Sequence, residues 1–178
     1  MDRPDAELAA AVLAGMRDIP DFPAAGVVFK DFTPLLLNPP LRDRIVADTV
    51  ARRRGQVDVV AGIEARGFIL GAMIAHELGV GFVPVRKAGK LPAAVHTESY
   101  SLEYGEATLE IHQDAVDHHE RVLVVDDVLA TGGTLAATCE LVKRCGASVA
   151  GIELVLEIGA LGGRAKLTEY DLHCMVTV

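Results

Sequence analysis

Residues 121–134 form the stretch Arg121-Val-Leu-Val-Val-Asp-Asp-Val-Leu-Ala-Thr-Gly-Gly-Thr134, which decides the fold. Its run from Val122 to Val125 is apolar and rich in β-branched residues, which is typical of a strand in a parallel sheet that is covered on both faces. Asp126 and Asp127 follow where this strand ends, and open α/β sheets bind ligands at that edge. The sequence therefore predicts an α/β fold with a ligand site directly after this strand.

The loop Ala130–Thr134 has the composition of a phosphate cradle. It contains the glycines Gly132 and Gly133 and the hydroxyls of Thr131 and Thr134, and a helical pattern follows it at once. Backbone N–H groups can converge on an anion at such a helix N-terminus. The preceding carboxylates can accept hydrogen bonds from two vicinal hydroxyls, as a ribose 5-phosphate requires. A dinucleotide turn or a structural crossover is less favoured, because neither Gly-x-Gly-x-x-Gly nor Gly-Lys-Ser/Thr occurs here.

A second unit of strand, loop and helix lies earlier in the chain. We predict a buried strand over Val57–Ile63, a tight loop over Glu64–Gly67 and a helix over Phe68–Leu78. The loop N–H groups and the guanidinium of Arg66 could bind another phosphate. One molecule that carries a 5-phosphate and a pyrophosphate would need two such loops.

The formal net charge of −8 argues against a surface that coats nucleic acid. An acidic protein that binds a polyanion must concentrate its cations locally, and Arg86-Lys87-Ala-Gly-Lys90, after a predicted strand over Gly81–Arg86, is the better candidate for this. Arg52-Arg53-Arg54 ends a predicted helix over Leu41–Arg53, and we expect these arginines to complement the helix dipole and face solvent.

The other segments give weaker signals. We predict a helix over Asp5–Met16, an irregular segment over Ile19–Gly26 and a loop over Lys87–Ser99. Two short strands, Ser101–Glu103 and Ala107–His112, then meet at a glycine.

Bulk properties predict one domain over residues 1–178. The chain is 51% hydrophobic, and no apolar stretch is long enough to span a bilayer. The N-terminus lacks a signal-peptide layout, so we expect a cytoplasmic protein without membrane contacts. The three cysteines are expected to be buried free thiols, and His118-His119-Glu120 is expected to be a solvated turn rather than a metal cluster.

The stretch after Val125 resembles the phosphoribosyl-pyrophosphate motif of the type I phosphoribosyltransferases, and the resemblance extends from about Arg17 to Arg164. Five segments carry a closer similarity, and they are Arg17-Asp-Ile-Pro-Asp-Phe-Pro, Gly26-Val-Val-Phe-Lys-Asp-Phe-Thr-Pro34, Gly62-Ile-Glu-Ala-Arg-Gly-Phe-Ile-Leu-Gly71, Phe82-Val-Pro-Val-Arg-Lys87 and Tyr100-Ser-Leu-Glu-Tyr-Gly105. Through them the chain is similar, within that superfamily, to the adenine phosphoribosyltransferases.

The resemblance implies a type I phosphoribosyltransferase fold. In this fold a central, mostly parallel sheet is flanked by helices, with a small N-terminal hood over about residues 1–35 and a flexible lid loop, here Ala88–Ser99. It implies transfer of the phosphoribosyl group to adenine in purine salvage, giving AMP, by a homodimer. Mg²⁺ would be held mainly by pyrophosphate and ribose oxygens, without a direct protein ligand.

The resemblance also implies roles for individual residues. Asp126 and Asp127 would hold the ribose hydroxyls, and Ala130–Thr134 would cradle the 5-phosphate. Pyrophosphate would be bound by Arg66 and Lys87, by Arg86 across the dimer interface and by Lys90 in the lid. Adenine would lie between Leu129 and Ile158, with the backbone near Val28 and Lys30 contacting its edge, and Glu103 would hydrogen-bond the base near N7 and assist proton transfer.

Two alternatives stay open. A phosphoribosyltransferase for hypoxanthine, guanine or xanthine would share the phosphate loops, although the match at Gly26–Pro34 and Tyr100–Gly105 opposes it. A regulator that senses phosphoribosyl pyrophosphate and binds nucleic acid would need an added helix-turn-helix domain or a basic face.

Lys30 also stands where arginine is common in the family.

Overall fold

The computed structural model describes residues 6–22, 24–101 and 105–178. In chain order, its helices and strands are α1 (Ala6–Gly15), β1 (Arg17–Pro20), β2 (Val28–Asp31), α2 (Thr33–Leu36), α3 (Pro39–Arg53), β3 (Val59–Ile63), α4 (Arg66–Leu78), β4 (Gly81–Lys87), β5 (Val95–Ser101), β6 (Glu106–His112), β7 (Arg121–Val125), β8 (Val128–Leu129), α5 (Gly133–Arg144), β9 (Ser148–Glu157) and β10 (Leu172–Thr177). Two 3₁₀ turns, Gly159–Leu161 and Gly163–Lys166, lie between β9 and β10.

The main sheet has the strand order β10-β9-β7-β3-β4-β6-β5, and the short β8 pairs with β9. The strands from β10 to β4 are parallel, whereas β6 and β5 are antiparallel to their neighbours. Strands β3 and β7 lie at the centre, and almost every residue in them is buried. The sequence-based prediction of a mostly parallel sheet flanked by helices is confirmed, because continuous apolar runs suit strands covered on both faces.

Two apolar clusters cover the two faces of the sheet. One packs α5 against the sheet through Leu135, Leu141 and Val142. The other contains α1, α3 and α4, with Val12 and Ile45 among its most buried members. Parallel strands covered in this way have their carboxyl ends at one edge, where the loops are free to bind ligands.

The N-terminal hood contains α1 and an antiparallel hairpin of β1 and β2. The helix predicted over Asp5–Met16 is confirmed over Ala6–Gly15, and Asp5 lies outside the described residues. The irregular segment predicted from Ile19 begins instead within β1, which pairs with β2 from Arg17 to Pro20. The sequence did not indicate this strand, because proline is rare in strand interiors. Pro20 is tolerated here because it lies at the end of an edge strand.

The loop predicted over Lys87–Ser99 was wrong in its second half. Residues 95–101 form β5, which pairs with β6 along its whole length. The sequence Val95-His-Thr-Glu-Ser-Tyr-Ser101 is mostly polar, so it lacks the apolar alternation that indicates a strand. The strand forms because β6 supplies its hydrogen-bond partners. The mobility of a lid in this region stays a prediction.

The prediction that Arg52-Arg53-Arg54 faces solvent was wrong for Arg53, whose side chain is only 1% exposed, and it holds only in part for Arg52, which is half-buried and also pairs with Glu153. The Nε atom of Arg53 donates to Glu153 over 2.6 Å, and its guanidinium also pairs with Asp171. Arg53 therefore fastens the end of α3 to β9. By contrast, the three cysteines are buried and free, and His118 and His119 are exposed, as predicted.

Candidate active site

A cavity of about 280 Å³ opens at the carboxyl ends of β3, β4 and β7. It gathers carboxylates, cations and the predicted phosphate loop, and its lining residues are Glu64, Ala65, Arg66, Lys87, Tyr100, Leu109, Asp126, Asp127, Val128, Ala130, Thr131, Gly132, Thr134 and Leu135. A wider groove of about 780 Å³ between α3 and α4 is lined by alanine, valine and methionine side chains and, in nearly equal number, by charged or polar ones, namely Arg42, Asp43, Arg54, His76 and Glu77. The smaller cavity is the candidate active site, because converging polar groups mark a binding site better than volume does.

Asp126 and Asp127 lie directly after β7, at the floor of this cavity. Burial raises the pKa of Asp126 well above its ordinary value, and the neighbouring Asp127 carboxylate raises it further. Burial also raises the pKa of Asp127, although the nearby Arg66 opposes this. The pair is therefore costly to ionise in the folded protein and can gain from hydroxyl donors supplied by a ligand.

Arg66 begins α4 and contacts both the acid pair and the hood. Its Nε lies 2.9 Å from Oδ2 of Asp127. Its guanidinium lies 5.6 Å from the centre of the Phe29 ring in β2, which is a cation–π contact. The helix can start this close to β7 because residue 67 is glycine, where a Cβ would lie 2.6 Å from the carbonyl oxygen of Val125.

The loop Ala130–Thr134 leads into α5, as the sequence predicts. Gly132 precedes the helix with φ of +79°, which is a left-handed conformation that glycine adopts without strain. A Cβ at Gly132 would also lie 2.5 Å from the carbonyl oxygen of Gly163, so this backbone is packed closely against the following 3₁₀ turn. The Thr134 hydroxyl donates to the Tyr100 hydroxyl over 3.1 Å, which links the loop to β5.

The cation-bearing turn after β4 is held by carboxylates. Glu64 accepts a hydrogen bond from the Lys87 backbone N–H over 3.0 Å, and its other oxygen pairs with Arg86 at 3.3 Å. Arg86 also donates to the carbonyl oxygen of Lys90 over 3.0 Å. Lys87 lines the cavity and is exposed, whereas Arg86 is half-buried beside it.

Four of the base-binding residues predicted from the sequence do not line this cavity, namely Val28, Lys30, Leu129 and Ile158. Leu129 is fully buried in the core, whereas the adjacent Val128 lines the cavity. The contact of Leu129 with the base stays a prediction. Ile158 follows β9, and its N–H donates to the carbonyl oxygen of Leu129. Val28 is exposed in the hood, and Lys30 pairs there with Asp18 at 2.6 Å. Glu103 lies outside the described residues.

Several residues at the site were not predicted from the sequence. Phe29 and Tyr100 lie within segments that carry the family resemblance, and the contact of each is visible only in three dimensions. Glu64 stands in the predicted phosphate loop, where its position at a strand end was the available signal. Glu110 faces the turn after β4 from the adjacent strand β6, and no local pattern indicates that pairing.

Among the described residues, no helix is both long and apolar enough to cross a membrane. Within the same ranges, no three side chains of histidine, cysteine, aspartate or glutamate are grouped as metal ligands.

The chain matches the phosphoribosyl transferase domain family over residues 37–175. It is 54% identical to an adenine phosphoribosyltransferase of Nocardioides sp. (strain ATCC BAA-499 / JS614), over 98% of this chain and 97% of the relative. Its structure matches the crystal structure of adenine phosphoribosyltransferase from Thermoanaerobacter pseudethanolicus with a TM-score of 0.92 and 44% identity, over 96% of this chain and 99% of the other. The enzyme from Saccharomyces cerevisiae, solved with an imino-altritol bisphosphate and adenine, gives a TM-score of 0.91 and 36% identity, over 96% and 99% of the two chains. This chain belongs to the adenine phosphoribosyltransferase family.

Proposed function

We propose that this protein transfers the 5-phosphoribosyl group from phosphoribosyl pyrophosphate to N9 of adenine, giving AMP and pyrophosphate for purine salvage. The observation that carries the proposal is the meeting of the acid pair, the Thr-Gly-Gly-Thr loop and the cations Arg66 and Lys87 in one cavity. Family membership at 54% identity supports adenine as the acceptor.

We assign the ribose 5-phosphate to the segment between β7 and α5, which contains the acid pair and the loop Ala130–Thr134. Asp126 and Asp127 accept hydrogen bonds from the ribose hydroxyls, and Ala130–Thr134 surrounds the 5-phosphate at the start of α5. The left-handed Gly132 supports this assignment, because it turns the backbone of the loop just before the helix and its N–H groups.

We assign pyrophosphate to Arg66, Lys87 and Lys90, and to Arg86 across the dimer interface. In the structure Arg66 is paired with Asp127 and Arg86 with Glu64. Binding would change the partner of Arg66, which would turn to the pyrophosphate while Asp127 accepts from ribose. The Nε atom of Arg86 is buried and has no hydrogen-bond partner in the described part of the chain.

Mg²⁺ fits this cavity as an ion that arrives with pyrophosphate. Asp126 and Asp127 are assigned to the ribose hydroxyls, and hard divalent ions commonly keep substrate and water oxygens as ligands. When bound, it would neutralise the negative charge that grows on the leaving group.

We place adenine beside Val128 and Ile158, beneath the hood, with the backbone near Val28 and Lys30 at its edge. In the reaction the bond between ribose C1 and the pyrophosphate oxygen breaks, and a bond from C1 to N9 forms. N9 loses its proton, and we propose that Glu103 hydrogen-bonds the base and assists this transfer. The fixed cations stabilise the leaving group, and enclosure of the site keeps water from the activated ribose.

The test is nucleotide formation by the purified protein with phosphoribosyl pyrophosphate and Mg²⁺, offering adenine, hypoxanthine, guanine and xanthine in parallel. We expect AMP from adenine alone. Nucleotide from a 6-oxopurine would overturn the assignment of the base, and no product with any base would favour a ligand-sensing protein. An Asp127→Asn variant purified in the same way should lose at least about tenfold in activity, because it loses a charged hydrogen-bond acceptor for ribose.

We also propose a cytoplasmic homodimer in which Arg86 contributes to the partner's site. Buried free thiols suit a reducing compartment. Mixing the Arg86→Ala and Asp127→Asn variants under subunit exchange tests the interface, since a mixed dimer regains one complete site only if Arg86 acts on the partner. Sedimentation of a monomer, or no recovery in mixed dimers, would contradict this arrangement.

A further inference from the structure

The turn that carries Lys87 and Lys90 has few hydrogen bonds from the sheet. Pairing between β4 and β6 ends with Lys87 opposite Leu109, and Ala88 then donates to Thr108 over 3.0 Å. Gly89 follows with φ of +80°, so the chain reverses away from the sheet. Some other group must fix the position of the next residues.

Glu110 supplies that group. One of its carboxylate oxygens accepts from the backbone N–H groups of Lys90 and Leu91, each over 2.7 Å, and the other accepts from Gly89 over 2.9 Å. Its side chain lies in β6, and Glu110 is only 4% exposed. Burial alone would raise the pKa of this carboxyl, but the three N–H groups outweigh burial and hold the pKa below its ordinary value. Glu110 is therefore a charged acceptor that three consecutive N–H groups surround.

Glu64 acts on the first half of the same turn through the backbone of Lys87 and the guanidinium of Arg86. The two carboxylates approach the turn from β6 and from the end of β3. Together they fix the backbone on both sides of the two lysines, while the lysine side chains stay exposed.

We propose that Glu110 is a positioning residue for pyrophosphate, which holds the turn Ala88–Leu91 so that Lys87 and Lys90 face the leaving group together. This inference rests on the proposed function, because it takes these lysines as pyrophosphate ligands. Glu110 does not contact substrate, and it acts through the backbone that carries the two cations. A positioned pair of cations binds a diphosphate better than two mobile ones, because less conformational entropy is lost on binding.

The Glu110→Gln variant tests the proposal with little change in shape. An amide keeps one accepting oxygen, but its NH₂ group would face an N–H donor of the turn, so at least one N–H loses its partner. We expect the affinity for magnesium pyrophosphate, measured by calorimetry, to fall at least about tenfold. Affinity for ribose 5-phosphate should stay within about twofold, since that ligand is assigned to the loop after β7. KM for phosphoribosyl pyrophosphate should rise, while KM for adenine is unchanged.

Glu106→Gln is the matched control, because Glu106 is exposed at the start of the same strand. It should bind both ligands as the wild type does. In a Lys90→Ala background, Glu110→Gln should weaken pyrophosphate binding less than it does in the wild type, since the two residues act on the same contact. A residue with only a structural role would weaken both ligands equally and give additive losses.

The outcomes separate two failures. If the wild type binds no magnesium pyrophosphate, the proposed pyrophosphate site is wrong, and the role of Glu110 fails with it. If the wild type binds pyrophosphate and both Glu110→Gln and Glu110→Ala bind it equally well, only the positioning role is overturned. The folded state of each variant is checked by its unfolding temperature, and Glu110→Gln carries the test if Glu110→Ala does not fold.

Discussion

Asp126 and Asp127 are arranged at a cost to the stability of the protein, as we expect of groups that bind a ligand. Two adjacent carboxyls after β7 repel each other when both are ionised, and burial adds to the cost. The 2.9 Å ion pair with Arg66 stabilises the ionised form of Asp127. For Asp126, the effect of Arg66 on the pKa is smaller than the effects of burial and of repulsion by Asp127. The uncompensated charge is therefore concentrated on Asp126.

Asp126→Asn should stabilise the substrate-free protein at neutral pH while weakening binding of phosphoribosyl pyrophosphate. The pKa of Asp126 is raised in the folded state, so its contribution to the free energy of unfolding is favourable at low pH and is lost as pH rises through the folded pKa. We expect a measurable gain in the free energy of unfolding at pH 7.5, because the raised pKa means that ionising Asp126 costs free energy in the folded protein and asparagine avoids that cost. Denaturant unfolding at several pH values measures this gain, which should shrink as pH is lowered. A variant that is no more stable at pH 7.5 than Asp114→Asn, a change at an exposed aspartate, would contradict this account.

Sequence alone could predict the part of the site that is contiguous in the chain. The acid pair and the Thr-Gly-Gly-Thr loop lie within nine residues, so strand, site and helix follow from one pattern. The contact between Phe29 and Arg66 joins the hood to α4, and no local periodicity relates two such residues. Leu129 shows the limit at the next level of detail. Which of two adjacent apolar residues faces the cavity depends on how the short β8 pairs with β9.

The helix α3 shows how an element can carry a buried charge that its sequence conceals. Its buried stripe passes through Ile45, Thr49 and Val50 and then reaches Arg53 at helical spacing. This spacing was the signal that separated Arg53 from its neighbours. Its partners, Glu153 and Asp171, are about a hundred residues away in sequence, so the ion pairs could not be predicted from the helix itself.

Arg53→Met should lower the free energy of unfolding by about 3 kcal/mol. The change leaves the buried carboxylate of Glu153 without its 2.6 Å partner, and removal of one member of a buried ion pair typically costs about 3–5 kcal/mol. Arg52 and His173 also contact Glu153, which places the expected loss at the lower end. Arg54→Met, at the exposed end of the same helix, should stay within about 0.5 kcal/mol of the wild type. Equal losses in the two variants, measured by urea unfolding, would mean that Arg53 is not part of a buried network.

At the scale of the whole molecule, the proposed substrate would connect three neighbouring strands. Its 5-phosphate would lie after β7, and its pyrophosphate after β3 and β4, so that these adjacent parallel strands contact one ligand at their carboxyl ends. The antiparallel hairpin of β5 and β6 supports these loops, because Tyr100 hydrogen-bonds Thr134 and Glu110 accepts from the backbone of Lys90. Substrate binding should consequently stabilise the domain as a unit.

Phosphoribosyl pyrophosphate with Mg²⁺ should raise the unfolding temperature of the protein by about 5–10 °C. A ligand at a hundred times its Kd contributes about 2.7 kcal/mol, and about 1 kcal/mol shifts the unfolding temperature of a domain of this size by about 2–4 °C. Because we propose that the ion arrives with the substrate, EDTA should remove most of this shift yet leave the unfolding temperature of the substrate-free protein unchanged. Differential scanning calorimetry measures all four conditions. If EDTA instead lowers the unfolding temperature of the substrate-free protein, the protein holds a resident metal ion. The proposal that Mg²⁺ arrives with pyrophosphate would then be wrong.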